Sequence, residues 1–186
     1  MVDTSERATP TYFDLLGLPL RFAVDPAEIE RNYLARSREL HPDYHQQGST
    51  AQQRVSMEMT AALNEAYTTL KNPFRRAEYL LRLHGGPTAA EVKEMEPAFL
   101  EEMLELRMEI EELRHSGAAD SPARAAMEQQ LRQRNERMMD DVSRRFAEWE
   151  ALPANDSRGP RVLLQVRQLL NATKYIQGLL RDLRAD

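Results

Sequence analysis

The sequence predicts an all-α protein built from two helical parts. Helix-forming residues dominate its 186 positions, β-branched residues never alternate in a run, and apolar residues recur at spacings of three and four. With 41% apolar residues, a chain of this length can bury a core without disulfides, and it has no cysteine with which to form them.

The first half shows four helical segments. A short apolar one starts at Tyr12 and stops near Gly17, and a second begins at the Asp25-Pro26 cap. Pro42 ends the second helix, because proline lacks an N–H and disfavours helical geometry in the residue before it.

A polar loop to about Thr50 leads into the third and longest helix of this half. Asn72-Pro73 ends that helix, and a fourth runs from Phe74 to Leu83. The predicted apolar face of the third helix comprises Val55, Met59, Leu63, Ala66, Tyr67 and Leu70.

The stretch Gly85-Gly86-Pro87, directly after His84, marks the best domain boundary. Beyond it, three long helical patterns run from about Pro97 to His115, from Ser121-Pro122 to about Trp149, and from about Pro160 to Leu183. Short connections between long helices predict an antiparallel three-helix bundle. The predicted division is a disordered tail at 1–10, a first domain at 11–84, a linker at 85–96 and the bundle at 97–186.

His41, Pro42 and Asp43 form a compact motif between the second and third helices. Proline fixes one backbone angle, so the neighbouring imidazole and carboxylate lose less entropy on docking, and the carboxylate can accept a bidentate hydrogen bond from an arginine. In isolation such a tripeptide is more often a helix-ending proline with a capping aspartate.

The surroundings of the motif favour a functional interpretation. The upstream segment 12–18 and the downstream segment 64–70 resemble those of a J-domain, the module that stimulates DnaK-type chaperone ATPases. Segments 70–85 and 99–107 are similar to the HscB family, the co-chaperones of iron–sulfur cluster assembly. Together these likenesses span about residues 11 to 110 and continue more weakly to the C-terminus.

The resemblance implies an L-shaped, two-domain, non-enzymatic co-chaperone with no cofactor. His41, Pro42 and Asp43 would contact an HscA/DnaK-type chaperone and stimulate its ATPase, and the bundle would bind an IscU-type scaffold protein. Arg31 and Arg38 would extend the chaperone contact along the second helix, although Glu30, Leu34 and Ala35 replace part of the basic face that generic J-domains carry. A solvated helix face is the alternative for these arginines.

Spacing in the first bundle helix points to a surface for the second partner. A core stripe comprises Phe99, Met103, Leu106, Ile110 and Leu113. A second apolar stripe, Leu100, Leu104 and Met108, falls about 100–180° away and is bordered by Glu101, Glu105 and Glu109. An apolar row rimmed by acids is typical of a binding surface, a wide buried face being the alternative.

By resemblance to the HscB family, the scaffold-binding residues would be Leu100, Leu104, Glu105 and Tyr175. Tyr175 falls about 120° from the core side of the last helix by helical arithmetic.

Composition argues against several other classes. The net charge of −5 disfavours nucleic-acid binding, and no apolar run approaches a membrane span. No signal peptide is visible, so we expect a cytoplasmic protein. His41 and His45 have helical metal-pair spacing, but Pro42 interrupts the helix, so no metal site is expected.

Three alternatives stay open at this point. The first is a J-domain protein that delivers a different client to a DnaK-type chaperone. The second is a helical scaffold in which the His-Pro-Asp triplet is accidental, and the third is a hydrolase with unrecognised acid–base residues.

Overall fold

The computed structural model describes residues 10–40, 50–115 and 121–185, and every regular element in these ranges is an α-helix. This confirms the all-α prediction. The helices in chain order are α1 (Tyr12–Leu16), α2 (Pro26–Glu39), α3 (Thr50–Lys71), α4 (Pro73–Leu83), α5 (Pro97–His115), α6 (Pro122–Glu150) and α7 (Gly159–Arg184).

The chain divides into two compact units, Met1–Tyr79 and Leu80–Asp186. The division falls within α4, whereas the sequence placed a linker at residues 85–96. That predicted linker lies wholly in the second unit.

Local capping sets the bounds of the N-terminal helices. The Asp25 carboxylate accepts a hydrogen bond from the Ala27 amide at 2.9 Å, directly before Pro26 in the first turn of α2. A reciprocal capping box closes the start of α1, where Thr11 and Asp14 each bind the other's backbone amide. Gly17 ends α1 with a φ of +62°, a left-handed geometry that suits glycine.

The first unit packs α1 and the α2–α3 hairpin around one apolar core. Its fully buried side chains include Phe13, Leu16, Ile29 and Leu70. The aromatic ring of Tyr79 stacks on Tyr12 with centroids 4.3 Å apart, and the Tyr79 hydroxyl accepts a hydrogen bond from the Tyr12 amide at 2.9 Å. This contact fixes the start of α1 against the C-terminal part of this unit.

Arg76 is buried in the same unit. Its guanidinium donates to the Leu70 carbonyl at 2.8 Å and lies over the Phe22 ring, with the central carbon 5.0 Å from the ring centroid. The guanidinium therefore occupies one carbonyl at the C-terminal end of α3, where helices have carbonyls without a partner of their own. Burial lowers the pKa of Arg76.

The apolar face of α3 is only partly buried, which differs from the sequence prediction. Leu63, Ala66 and Leu70 lie in the core, but Val55 and Met59 are exposed. Helical periodicity identifies a face, while burial requires a neighbouring element to cover it.

The second unit contains an up-down-up bundle of α5, α6 and α7, which confirms the predicted antiparallel arrangement. Side chains near the start of α6 contact those near the end of α7, as in the Arg184–Glu128 ion pair, so these two helices run antiparallel. Phe99 contacts Tyr175 and Arg107 pairs with Asp182, so α5 runs parallel to α7. The bundle core comprises Met103, Leu106, Ile110, Leu131, Ile176, Leu179, Leu180 and Leu183.

Polar side chains of α7 hold the segment that precedes α5. Arg167 is buried and donates from Nε to the Pro87 carbonyl at 2.9 Å. Asn171 donates from Nδ2 to the Val92 carbonyl at 2.7 Å. Residues 87–92 are thus fastened to the bundle by hydrogen bonds to their backbone.

Candidate functional site

The predicted chaperone-binding triplet, His41, Pro42 and Asp43, lies outside the described residues. Helices α2 and α3 flank it in the chain. Leu40 closes α2 with its amide bonded to the Arg36 carbonyl, and the Ser56 hydroxyl of α3 donates to the Leu40 carbonyl at 3.1 Å. The end of α2 is therefore attached to α3 directly before the triplet in the chain.

Arg31 and Arg38 both lie exposed on α2. Leu34, between them in sequence, is also exposed. Positions 31, 34 and 38 share one helical face, because they are separated by three and four residues. The face of α2 that includes the predicted basic contact is therefore mixed, with an exposed leucine between two guanidinium groups.

Glu30, one of the residues that depart from a basic α2 face, has a local partner. Its carboxylate accepts hydrogen bonds from the Tyr67 hydroxyl at 2.6 Å and from Lys71 Nζ at 2.9 Å. These bonds lower the pKa of Glu30, and bonds to Tyr67 and Glu30 raise the pKa of Lys71. The negative charge of Glu30 is thus balanced by a cation of α3.

Stacking joins the same two helices. The Tyr33 and Tyr67 rings lie nearly parallel with centroids 4.1 Å apart, and the Tyr33 hydroxyl donates to the Asn64 side chain at 2.9 Å. The face of α2 that contacts α3 is consequently distinct from the one that presents Arg31 and Arg38.

The second apolar stripe of α5 is exposed in the structure. Leu100, Leu104 and Met108 are 41%, 61% and 57% exposed, whereas Met103, Leu106 and Ile110 of the core stripe are buried. We name the exposed set the α5 stripe. It spans about 12 Å along the helix axis at 1.5 Å per residue. The wide buried face considered as the alternative is therefore wrong for this helix.

Tyr175 of α7 is 48% exposed and contacts the start of α5. Its ring meets that of Phe99 edge to face, with centroids 6.0 Å apart. The contact thus places an exposed tyrosine of α7 against the first turn of α5, the turn that also contains Leu100.

Ion pairs connect α5 to α6 on one side and to α7 on the other. Glu102 receives a bidentate interaction from Arg134 of α6, with one of the two contacts at 2.6 Å, and this bond lowers the pKa of Glu102. On the α7 side, Arg107 lies 3.7 Å from Asp182. Both pairs connect α5 to its neighbours and leave the α5 stripe uncovered.

Glu105 is exposed, as are Glu101 and Glu109 one turn before and after it. Helical arithmetic places these carboxylates along the outer edge of the α5 stripe, on the side away from α7. The surface therefore combines an apolar row with negative charge along one border.

Phe99 has a role that the sequence reasoning missed. The core stripe predicted it as buried, but it is partly buried and connects three elements. Besides Tyr175, it contacts the Arg134 guanidinium, whose central carbon lies 5.7 Å from the ring centroid. The sequence could have indicated this partial exposure, because Phe99 is the first member of the core stripe and lies at the start of a helix.

Neither a metal site nor a membrane helix emerges from the part of the chain that the structure describes. Its His, Asp and Glu side chains form no group of three or more that could hold a metal ion. None of its helices combines the length and the hydropathy needed to cross a membrane.

Comparison with known proteins gives two family matches. The family model described as the DnaJ domain matches residues 11–79, and the one described as the HSCB C-terminal oligomerisation domain matches residues 95–184. The two matches cover the hairpin of the first unit and the bundle of the second.

Relatives and solved structures agree with these matches. The chain is 39% identical to a co-chaperone protein HscB homolog of Bordetella pertussis over 123 residues, which cover 66% of this chain and 72% of the relative. It is 41% identical to the homolog of Burkholderia pseudomallei, covering 66% of this chain and 69% of that relative.

Chaperone HscB from Vibrio cholerae superposes with a TM-score of 0.76 at 28% identity, over 94% of this chain and 95% of that one. Human co-chaperone protein HscB, at 24% identity, shares the fold with a TM-score of 0.74, over 98% of this chain and 83% of that one. With a J-domain hairpin, a matching C-terminal bundle and relatives of this similarity, the chain belongs to the HscB family of co-chaperones.

Proposed function

We propose that this co-chaperone binds an IscU-type iron–sulfur scaffold protein and brings it to an HscA/DnaK-type chaperone whose ATPase it stimulates during iron–sulfur cluster assembly. Its membership of the HscB family and its DnaJ-domain match support the proposal. The observation that carries the scaffold half of the proposal is the exposed α5 stripe with Tyr175 beside it.

The chemistry of ATP hydrolysis belongs to the chaperone in this proposal. The chain contributes binding energy, and a bound co-chaperone accelerates hydrolysis only by binding the hydrolysis-competent state more tightly than the resting state. A tenfold shift toward that state requires about 1.4 kcal/mol of differential affinity. His41, Pro42 and Asp43, together with Arg31 and Arg38, are the proposed source of that difference.

The scaffold protein would bind at the α5 stripe. Three apolar side chains at a spacing of four residues form a ridge that a complementary apolar groove or helix can cover. Burying the exposed leucines removes apolar area from water, and this contributes about 25 cal/mol of favourable free energy per Å². Glu105 on the border would pair with a cation of the scaffold and favour one orientation.

The decisive experiment measures the ATPase rate of an HscA-type chaperone with and without an IscU-type scaffold, in the presence of this chain or its Asp43→Asn variant. We expect the parent chain to stimulate hydrolysis, the scaffold to increase the stimulation further, and the variant to lose it. Asp140→Asn removes an exposed carboxylate of α6 and serves as the matched control.

Each part of the proposal can fail separately in this assay. Equal stimulation by the parent and Asp43→Asn would contradict the role of the triplet. Stimulation that never responds to the scaffold, with no scaffold binding in calorimetry, would instead indicate a J-domain protein that delivers a different client.

A further inference from the structure

A histidine and a tryptophan pack against each other in the second unit. His84 follows directly after α4, and Trp149 lies in the last turn of α6. Their ring centroids are 3.8 Å apart and the ring planes are inclined by 33°. Both side chains are half-buried.

The pair lies in the wall of a groove of about 710 Å³. One side of the groove is formed by residues 84–87 and the other by the connection between α6 and α7, residues 150–160. That connection is a series of tight turns, with the Leu152 amide bonded to the Trp149 carbonyl and the Gly159 amide to the Asp156 carbonyl. The stacked rings therefore join two loops of the bundle.

One nitrogen of the imidazole is enclosed. His84 Nε2 has almost no contact with solvent and no hydrogen-bond partner among the described residues. A neutral imidazole can leave one nitrogen as an unused acceptor, but the protonated ring carries an N–H at both nitrogens. Protonation would thus bury a charged donor without an acceptor, which is far less favourable than exposing it to water.

The charged groups around the groove do not compensate for this. Of the lining residues, Glu150 is exposed and so is screened by water, and Asp156 is paired with Arg158 at 2.8 Å. That partner lowers the pKa of Asp156 to about 2, so this carboxylate is already engaged across the relevant pH range.

The neighbouring helices carry two arginines and one further ion pair. On α6, Arg145 and Glu148 are paired with each other at 2.6 Å. On α4, Arg82 precedes His84 by two residues, and on α7 the buried Arg167 binds the Pro87 carbonyl. Neither arginine offers an acceptor to a protonated imidazole.

We propose that the His84–Trp149 stack is a pH-responsive latch, in which protonation of His84 separates the imidazole from the indole and loosens the connection between α6 and α7. Burial lowers the pKa of His84 below that of a free imidazole, in agreement with the enclosed nitrogen. Because the folded-state pKa is the lower one, the latch is fully stable above about pH 6.5 and weakens as the pH falls from there toward the folded-state pKa.

The chain has one tryptophan, so selectively excited indole fluorescence of the full-length protein comes from Trp149. We expect the Trp149 emission to shift to longer wavelength on acidification, with a midpoint below about pH 6.5. His84→Phe retains an aromatic ring without a titratable proton and should remove the transition. His115→Gln changes an exposed histidine of α5 and should leave the transition in place.

A second measurement on the unmodified protein makes the result independent of how the variants fold. Imidazole NMR resonances should include one with a pKa below about 6.5, and amide protection at Leu152 and Gly159 should fall about tenfold below that midpoint. An emission that does not change with pH, a transition that persists in folded His84→Phe, or four histidine resonances that all titrate at or above about 6.5 would each overturn the proposal.

Discussion

The rings of Phe99 and Tyr175 meet edge to face, with planes at 82° and centroids 6.0 Å apart. Such a geometry directs the positive edge of one ring at the negative face of the other and adds to the burial of both. The contact attaches the first turn of α5, which also contains Leu100, to the exposed Tyr175 of α7. The proposed scaffold surface is thus a joint feature of two helices.

Truncating the α5 stripe should weaken scaffold binding. Leu100→Ala together with Leu104→Ala removes the two exposed leucines, and we expect a loss of at least about 2 kcal/mol in binding free energy, as for buried hot-spot residues. Isothermal titration calorimetry with an IscU-type scaffold measures it. Leu20→Ala removes an exposed leucine of the first unit and should bind normally, whereas parental affinity of the double variant would exclude this surface.

Tyr175 should contribute through its ring. Tyr175→Ala removes the aromatic surface and the contact with Phe99, so scaffold affinity should fall by about 1–2 kcal/mol. Tyr175→Phe keeps the ring and should retain most of that affinity in the same calorimetric titration. If the phenylalanine variant binds as weakly as the alanine variant, the hydroxyl rather than the ring makes the contact.

Reversing the exposed charges of α2 should impair chaperone stimulation. For Arg31→Glu with Arg38→Glu, we expect the concentration for half-maximal ATPase stimulation to rise about tenfold, which is about 1.4 kcal/mol. The effect should diminish at high ionic strength, because salt screens exposed charges. Arg137→Glu with Arg161→Glu reverses two exposed arginines of α6 and α7 and changes the net charge by the same amount, so an equal effect of the two double changes would show that only net charge matters.

Replacing either of the two consecutive glycines after α4 should destabilise the protein, but for a different physical reason in each case. A Cβ on Gly86 would lie 2.2 Å from Leu81 Cδ1 and 3.1 Å from the Leu81 carbonyl oxygen, so Gly86→Ala should cost about 1–3 kcal/mol of unfolding free energy through overpacking. Gly85 has a φ of +69° and open space around it, so Gly85→Ala should cost about 1–2 kcal/mol from conformation alone.

A second-site variant separates these two causes. Combining each glycine change with Leu81→Ala, and measuring urea unfolding by circular dichroism, should show favourable coupling for Gly86→Ala and none for Gly85→Ala. Coupling of the same size in both combinations would mean that the clash at Leu81 is not the cause.

Removing the Tyr79 hydroxyl should destabilise the first unit. Tyr79→Phe leaves the Tyr12 amide without the acceptor it has at 2.9 Å, at a cost of about 1 kcal/mol in denaturant unfolding. Tyr33→Phe breaks a bond of similar length, but to an exposed partner, and should cost less because water replaces it. A larger loss for Tyr33→Phe would reverse this interpretation.

Local chemistry explains why the helix bounds follow from the sequence. Pro26 and Pro122 sit in first turns after Asp25 and Ser121, and both caps form hydrogen bonds to amides within three residues. Such bonds depend on neighbours in the chain alone, so a pattern suffices to predict them. The α5 stripe was predictable for the same reason, because a helix with a defined core face has a defined outer face.

The burial of individual residues needed the tertiary structure. On α7, Leu169 is only partly buried and lines a groove with Phe99, while Leu163, Leu170 and Arg167 are buried. The deciding factor is which helices extend far enough to cover a given turn of α7. The sequence gives no measure of how far each helix is covered. In the structure, α5 packs mainly on α7 and only slightly on α6.

By itself, the sequence determined the all-α class, the helix order, the exposed α5 stripe and the family resemblance, because periodicity, caps and motifs are properties of short segments. Only the tertiary structure decided that Phe99 links α5 to Tyr175, that Glu30 is balanced by Lys71, and that His84 stacks on Trp149. Each of these pairs joins residues more than 40 positions apart, and their contact depends on how whole helices pack.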